Sequence, residues 1–223
     1  KTTSAMRYAG LRGLRFYKVS FNAGVESSQL FGKLLPTQEG KLAWQDGGFT
    51  ECWRNGNAVI LLDELSFIVA KQSGVLMPTM DNTKTLTLLD NKGEVIPMGD
   101  NVLLVCAYNE NYRGNNKLNQ AFADRFNHKL LFEYDTEIEK KFIPSSTLLS
   151  LASQMRADSI AGVYETPIST RLLKNFVKYA KDLGYEYAVD NFLANFSVDE
   201  RASVKLLLEA HRHNLEAELL DVA

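Results

Sequence analysis

One stretch constrains this chain more than any other: Asn57-Ala58-Val59-Ile60-Leu61-Leu62-Asp63-Glu64. Five apolar residues run without a polar break and then meet two adjacent carboxylates. A run apolar on both faces fits a strand of a parallel sheet covered above and below by helices. Open α/β sheets bind ligands beyond the carboxyl ends of their strands, where these two acids would lie. The stretch alone admits two readings. One is a Walker B strand, whose first acid holds Mg²⁺ on a nucleotide and whose second polarises the attacking water. The other is a buried strand that ends in a polar turn. The flanking sequence has to decide between them.

Upstream, Lys1-Thr2-Thr3-Ser4 opens a run of good helix formers that continues to Leu11. A hydroxyl-rich start suits a helix N-terminus. Lys-Thr in that position is the last half of a P-loop, G-x-x-x-x-G-K-[ST], where the lysine reaches phosphates and the hydroxyl ligates Mg²⁺. Lys1 is no initiator and the phosphate-cradling glycines are not in the sequence, so the natural protein is expected to carry them upstream. The separation of Lys1 from Asp63 leaves room for helix, strand, helix and an insertion. Arg15 to Phe21 alternates as a strand, Ser27 to Gly32 starts a helix, and Thr37 to Gly48 suggests a small hairpin with Leu42 and Trp44 on one face. Phe49 to Asn55 resumes the helix, and Gly56 caps it.

After Glu64, Gly74 to Met80 reads as a short helical piece. Leu86 to Pro97 reads as a second hairpin turning at Asn91-Lys92-Gly93, and Val102 to Asn109 as another all-apolar buried strand that ends in a polar residue. A loop from Asn111 to Asn116 carries Arg113, a helix from Leu118 closes on Asp124-Arg125-Phe126, and Lys129 to Tyr134 reads as a final strand. From about Glu137 only helical periods remain. Leu172, Leu173, Phe176, Val177 and Ala180 make one apolar face; Tyr185, Ala188, Phe192, Leu193 and Phe196 a second; Val204, Leu207, Leu208, His211 and Leu215 a third. An α/β part, 1–135, followed by a helical part, 136–223, is the expected division.

Composition narrows the partners. With 25 basic and 27 acidic side chains the formal charge is −2, which supplies no global basic footprint for nucleic acid. No apolar run approaches the roughly 20 residues of a membrane span, and no signal peptide is visible. The two cysteines, Cys52 and Cys106, read as buried thiols of a reducing compartment, hence a cytoplasmic protein.

Taken in order, these pieces resemble the AAA+ ATPases of the MoxR and dynein-related branch, and within it the CbbQ/NirQ/GvpN-type proteins and the ATPase subunit of the aerobic cobalt chelatase. The likeness runs from Lys1-Thr2 through Gly40 to Gly47, Leu61 to Glu64, Leu86 to Asp90, Ala107 to Asn109, Leu118 to Phe126 and Pro167 to Arg171. Each motif is weak alone; their order and the two inserted hairpins are specific to the branch. The resemblance implies an α/β fold, a P-loop NTPase-type parallel sheet sandwiched by helices, followed by a small all-α lid.

It also implies roles. Lys1 and Thr2 match the Walker A end, as phosphate clamp and Mg²⁺ ligand. Asp63 matches the acid that organises Mg²⁺, and Glu64 the base that orients the hydrolytic water. Asn109 matches sensor 1, Arg125 the arginine finger that reaches a neighbouring subunit's nucleotide, and Arg171 sensor 2. ATP and Mg²⁺ follow as cofactors. A homo-oligomeric ring follows too, most often of six in this family, acting on a client or a partner with a von Willebrand A domain. Plainer readings stand beside these. Arg125 is also what a helix C-terminus favours, Arg171 also suits a solvated helix, Asn109 also suits a turn, and Arg113 is a lesser rival for the finger. His211 and His213 lie two apart and point to different faces, so they read as packing and surface residues. Two other functions are carried forward. One is the motor of a cobalt- or magnesium-chelatase-like complex, toward which Leu86 to Asp90 and Asn119-Gln120 lean. The other is a nucleic-acid-associated motor or a nucleotide-gated binding module, which the balanced charge disfavours.

Overall fold

The computed structural model describes residues 1–22, 24–109 and 120–220. They divide into two compact units, Lys1–Leu131 and Phe132–Ala223, each described by itself.

The first unit opens with α1 (Thr2–Arg12), which ends at Gly13 in the left-handed region, and β1 (Arg15–Ser20). Helix α2 (Ser27–Phe31) leads into a hairpin of β2 (Gly32–Pro36) and β3 (Leu42–Asp46), and α3 (Gly48–Asn55) resumes the helical path. Strand β4 (Ala58–Asp63) is followed by a 3₁₀ turn, Leu65–Phe67, and by α4 (Ala70–Met80). Strands β5 (Thr85–Leu88) and β6 (Glu94–Pro97) form the second hairpin. Strand β7 (Val102–Cys106) and α5 (Gln120–Ala123) complete the unit.

Among the described residues, β1, β4 and β7 form a parallel sheet with β4 in the centre. Its side chains alternate between two cores. Val59 and Leu61 pack with Ala5 and Ala9 of α1, whereas Ile60 and Leu62 pack with Phe49 and Trp53 of α3. All four β4 residues are fully buried, and each contributes about 1.5–3 kcal/mol by leaving water. This is the two-faced burial expected of the apolar run. Together with the helical second unit, it is the P-loop NTPase-type architecture that the sequence implies.

The hairpins are fastened to α3. Trp53 Nε1 donates to the Ile96 carbonyl at 3.2 Å. Arg54 pairs with Asp46 of the first hairpin at 2.8 Å and with Glu94 of the second at 2.7 Å. Gly56 ends α3 at φ 70°, ψ −165°, a conformation essentially reserved for glycine, and a Cβ there would strike the Asp100 backbone.

Three expectations change. Helix α4 starts at Ala70 rather than Gly74, because Gln72 ties its first turn to the Val69 amide at 3.4 Å and to the Val25 carbonyl at 2.7 Å. Residues 129–134 form no strand. Leu130 and Leu131 are about four-fifths exposed, and among the described residues no strand pairs with the segment, without which apolar composition does not make a strand. Cys106 is only partly buried, unlike Cys52, because β7 is an edge of the described sheet.

The second unit is helical: α6 (Thr136–Glu139), α7 (Ser146–Ile160), α8 (Thr170–Leu183), α9 (Tyr185–Leu193), α10 (Val198–Ala210) and α11 (Arg212–Leu220). The three apolar faces read from the sequence meet in one core, with Leu207 and His211 at its margin. Two buried carboxylates organise its loops. Glu139 holds Arg156 through two hydrogen bonds, 2.7 and 2.8 Å, and Arg156 also donates to the Ile168 carbonyl at 2.9 Å. Glu200 accepts from the Glu165 amide, the Thr166 hydroxyl at 2.9 Å and the Ser197 amide at 3.0 Å. Among the described residues no helix is long and apolar enough to cross a membrane.

Gly56→Ala should lower the stability of the first unit by about 2–4 kcal/mol, from backbone strain plus overpacking, measured by chemical denaturation. Burial opposes the charge of Glu200, but its amide and hydroxyl donors outweigh that and pull its pKa from 4.5 down to about 2. A lowered folded-state pKa stabilises above the unfolded value, and that stability is lost as pH falls through the folded one. Unfolding of the helical unit followed by circular dichroism should therefore show a loss between about pH 4.5 and 2 that Glu200→Gln removes.

Candidate functional site at the carboxyl end of β4

Strand β4 delivers Asp63 to the carboxyl end of the sheet, and Asp63 gathers the first of the sequence-predicted residues. Ala5 and Ala9 are the α1 residues packed against Val59 and Leu61. Side chains that small let the helix lie close to the strand. Thr2, in the first turn of α1, then reaches Asp63, its hydroxyl donating to Oδ2 at 3.0 Å. The Asp63 Oδ1 atom accepts the Glu64 amide at 3.1 Å.

The chain turns sharply after Asp63. Glu64 sits at φ 56°, ψ 43°, in the left-handed region, which costs a residue with a side chain about 1–2 kcal/mol. The turn is held from both sides: the Ala107 amide donates to Leu62 at 2.8 Å and the Leu65 amide donates to Ala107 at 3.1 Å. These two bonds tie the end of β4 to the segment that carries Asn109. Lys1 completes the group, its ammonium donating to Asn109 Oδ1 and to the Tyr108 carbonyl, both at 2.5 Å. Lys1, Thr2, Asp63 and Asn109 are thus linked across the ends of α1, β4 and β7, with Glu64 in the connecting turn.

Of the two predicted arginines, Arg125 is held by other partners. Arg125 follows α5, with Nε 2.6 Å from Asp81 Oδ1 at the end of α4 and Nη1 donating to the Ala121 carbonyl at 2.5 Å. Arg171 belongs to the second unit, exposed in the first turn of α8 after the Ser169 cap. Arg113, Leu118 and Asn119 fall outside the described residues.

One participant went unread in the sequence. Lys18 of β1 places its ammonium 2.8 Å from Asp63 Oδ2. Strand register held the clue. Ser20 pairs with Asp63 and Lys18 with Leu61, so Lys18 shares the sheet face of Asp63. Burial opposes the charge on Asp63, but the bonds from Lys18, Thr2 and the Glu64 amide outweigh it and hold the carboxyl below its ordinary range. Asp63 is an anion at neutral pH.

That arrangement can hold a small hard cation. A carboxylate and a hydroxyl side by side are oxygen donors of the kind Mg²⁺ takes, with waters and substrate phosphates completing the octahedron. The Lys18 ammonium already stands at the carboxylate as a positive charge. No group of three or more His, Cys, Asp or Glu among the described residues offers a separate all-protein metal cage.

Comparison with known proteins gives the family. The AAA domain of the dynein-related subfamily matches residues 1–126. Protein CbbQ of Hydrogenophilus thermoluteolus is 30% identical over 166 residues, which are 70% of this chain and 60% of that protein. Midasin of Dictyostelium discoideum is 28% identical over 127 residues, 56% of this chain and 2% of midasin. The chain therefore spans less than two thirds of either curated relative. A solved structure, described as a candidate ATPase of Cytophaga hutchinsonii, aligns with 98% of this chain and 67% of its own at 17% identity and a TM-score of 0.44, a likeness that adds nothing to the assignment. On the match to more than half of its length, the chain belongs to the dynein-related subfamily of AAA domain proteins.

Proposed function

We propose that this chain is the core of an ATP-hydrolysing AAA+ machine that remodels or activates a partner protein as a ring-shaped homo-oligomer. The observation that carries the reading is the meeting of Lys1, Thr2, Asp63 and Asn109 at the turn that bears Glu64. Each side chain suits one part of phosphoryl transfer, in which a protein mostly positions groups and stabilises charge. Thr2 and Asp63 would hold Mg²⁺, which neutralises charge on the phosphates. The Lys1 ammonium, now on neutral oxygen acceptors, would exchange them for phosphate oxygens. Asn109 would orient the attacking water without adding charge, and Glu64 would accept its proton.

Arg125 is the candidate for the trans-acting arginine, and Arg171 for a guanidinium that reports nucleotide state. Arg125 is not engaged with the Asp63 group of its own chain, as a residue meant for a neighbour's nucleotide would not be. A protein client, or a partner with a von Willebrand A domain, is what the sequence resemblance implies.

The test uses the natural full-length protein. Glu64→Gln should bind ATP but lose at least about 100-fold in phosphate release, the scale of a general base. Arg125→Ala should lose about 10³-fold, the lower end for an arginine finger. Mixed oligomers of the two variants should regain turnover, since an intact base in one subunit can meet an intact arginine in the next. Turnover surviving both single changes would contradict the proposal.

A further inference from the structure

Lys18 is absent from the roles assigned above, yet it touches the atom on which they turn. Its ammonium lies 2.8 Å from Asp63 Oδ2, the same oxygen that accepts the Thr2 hydroxyl at 3.0 Å. The Asp63 side chain is only 15% exposed, and a carboxylate so far out of water needs a counter-charge. Lys18 supplies it. A divalent cation held by Asp63 and Thr2 would stand at the oxygen that the ammonium now occupies. An ammonium and a divalent cation on one oxygen repel each other strongly at such range. The Lys18 side chain is 35% exposed, and its stem is flexible with a strongly hydrated head, so the ammonium has water to move into.

We propose that Lys18 is a placeholder cation. It stands at Oδ2 and keeps Asp63 aimed at Thr2 while no metal is bound, and it leaves Oδ2 when the metal arrives. Resting on the assignment of Asp63 as the metal-organising acid, this makes Lys18 the residue that sets how readily the site takes a divalent cation. It weakens binding of the metal alone. A polyphosphate entering with the metal gives the displaced ammonium a new anionic partner, so nucleotide relieves the competition. The site is thereby biased toward metal and nucleotide together.

The test is Mn²⁺ binding to the full-length protein, read from the free-ion signal in electron paramagnetic resonance, with and without ADP. Without nucleotide, Lys18→Met should bind Mn²⁺ about tenfold tighter than the wild type, the scale on which neighbours of metal ligands act. Lys18→Arg, which keeps the charge, should stay near the wild type. With ADP the gap between Lys18→Met and the wild type should narrow. Lys18→Gln gives the same comparison should Lys18→Met fail to fold. Unchanged or weaker Mn²⁺ binding by the neutral variants would overturn the placeholder role while leaving the metal site standing. Mn²⁺ binding that survives Asp63→Asn, or no binding by any variant with or without ADP, would overturn the metal site itself.

Discussion

The contact between Thr2 and Asp63 depends on how tightly α1 lies on β4. That closeness comes from alanine: Ala5 and Ala9, one helical turn apart, are the α1 residues against Val59 and Leu61. Strand β4 cannot slide to adjust, because both its faces are buried and a one-residue slip would turn every side chain to the wrong core. The point at which the carboxylate leaves the sheet is therefore set by apolar packing. The polar groups then arrange themselves around a point the cores have chosen.

The turn beyond Asp63 shows strain placed where chemistry is proposed. Glu64 adopts a left-handed conformation that a glycine would adopt freely, and two backbone bonds to Ala107 hold it there. Such strain persists only where the surroundings over-determine it. The same bonds link the Asp63–Glu64 turn to the segment bearing Asn109. The hairpins have a comparable tie in Arg54, whose guanidinium joins Asp46 of one to Glu94 of the other.

Much of this was legible in the residues. The unbroken run Ala58–Leu62 marked the central strand, the glycines at 40, 47 and 93 marked the hairpin turns and rims, and the three apolar faces after Glu137 marked the helical core. What escaped depended on partners remote in sequence. Residues 129–134 have strand composition, but a strand is a relation between two segments, and composition reports only one. The longer start of α4 rests on Gln72 reaching Val25, a contact across 47 positions. Lys18 looked like one polar residue of an alternating strand. Only the register of β1 on β4 makes it a neighbour of Asp63.

The central claim is that Asp63 couples a divalent cation to a nucleotide. It is tested most directly by titration calorimetry of ATP into the full-length protein with Mg²⁺ and with chelator, for the wild type and for Asp63→Ala. The account predicts that Mg²⁺ strengthens ATP binding to the wild type and that Asp63→Ala abolishes this gain while still binding ATP through the remaining contacts. A Mg²⁺ dependence that is the same in both proteins would contradict it.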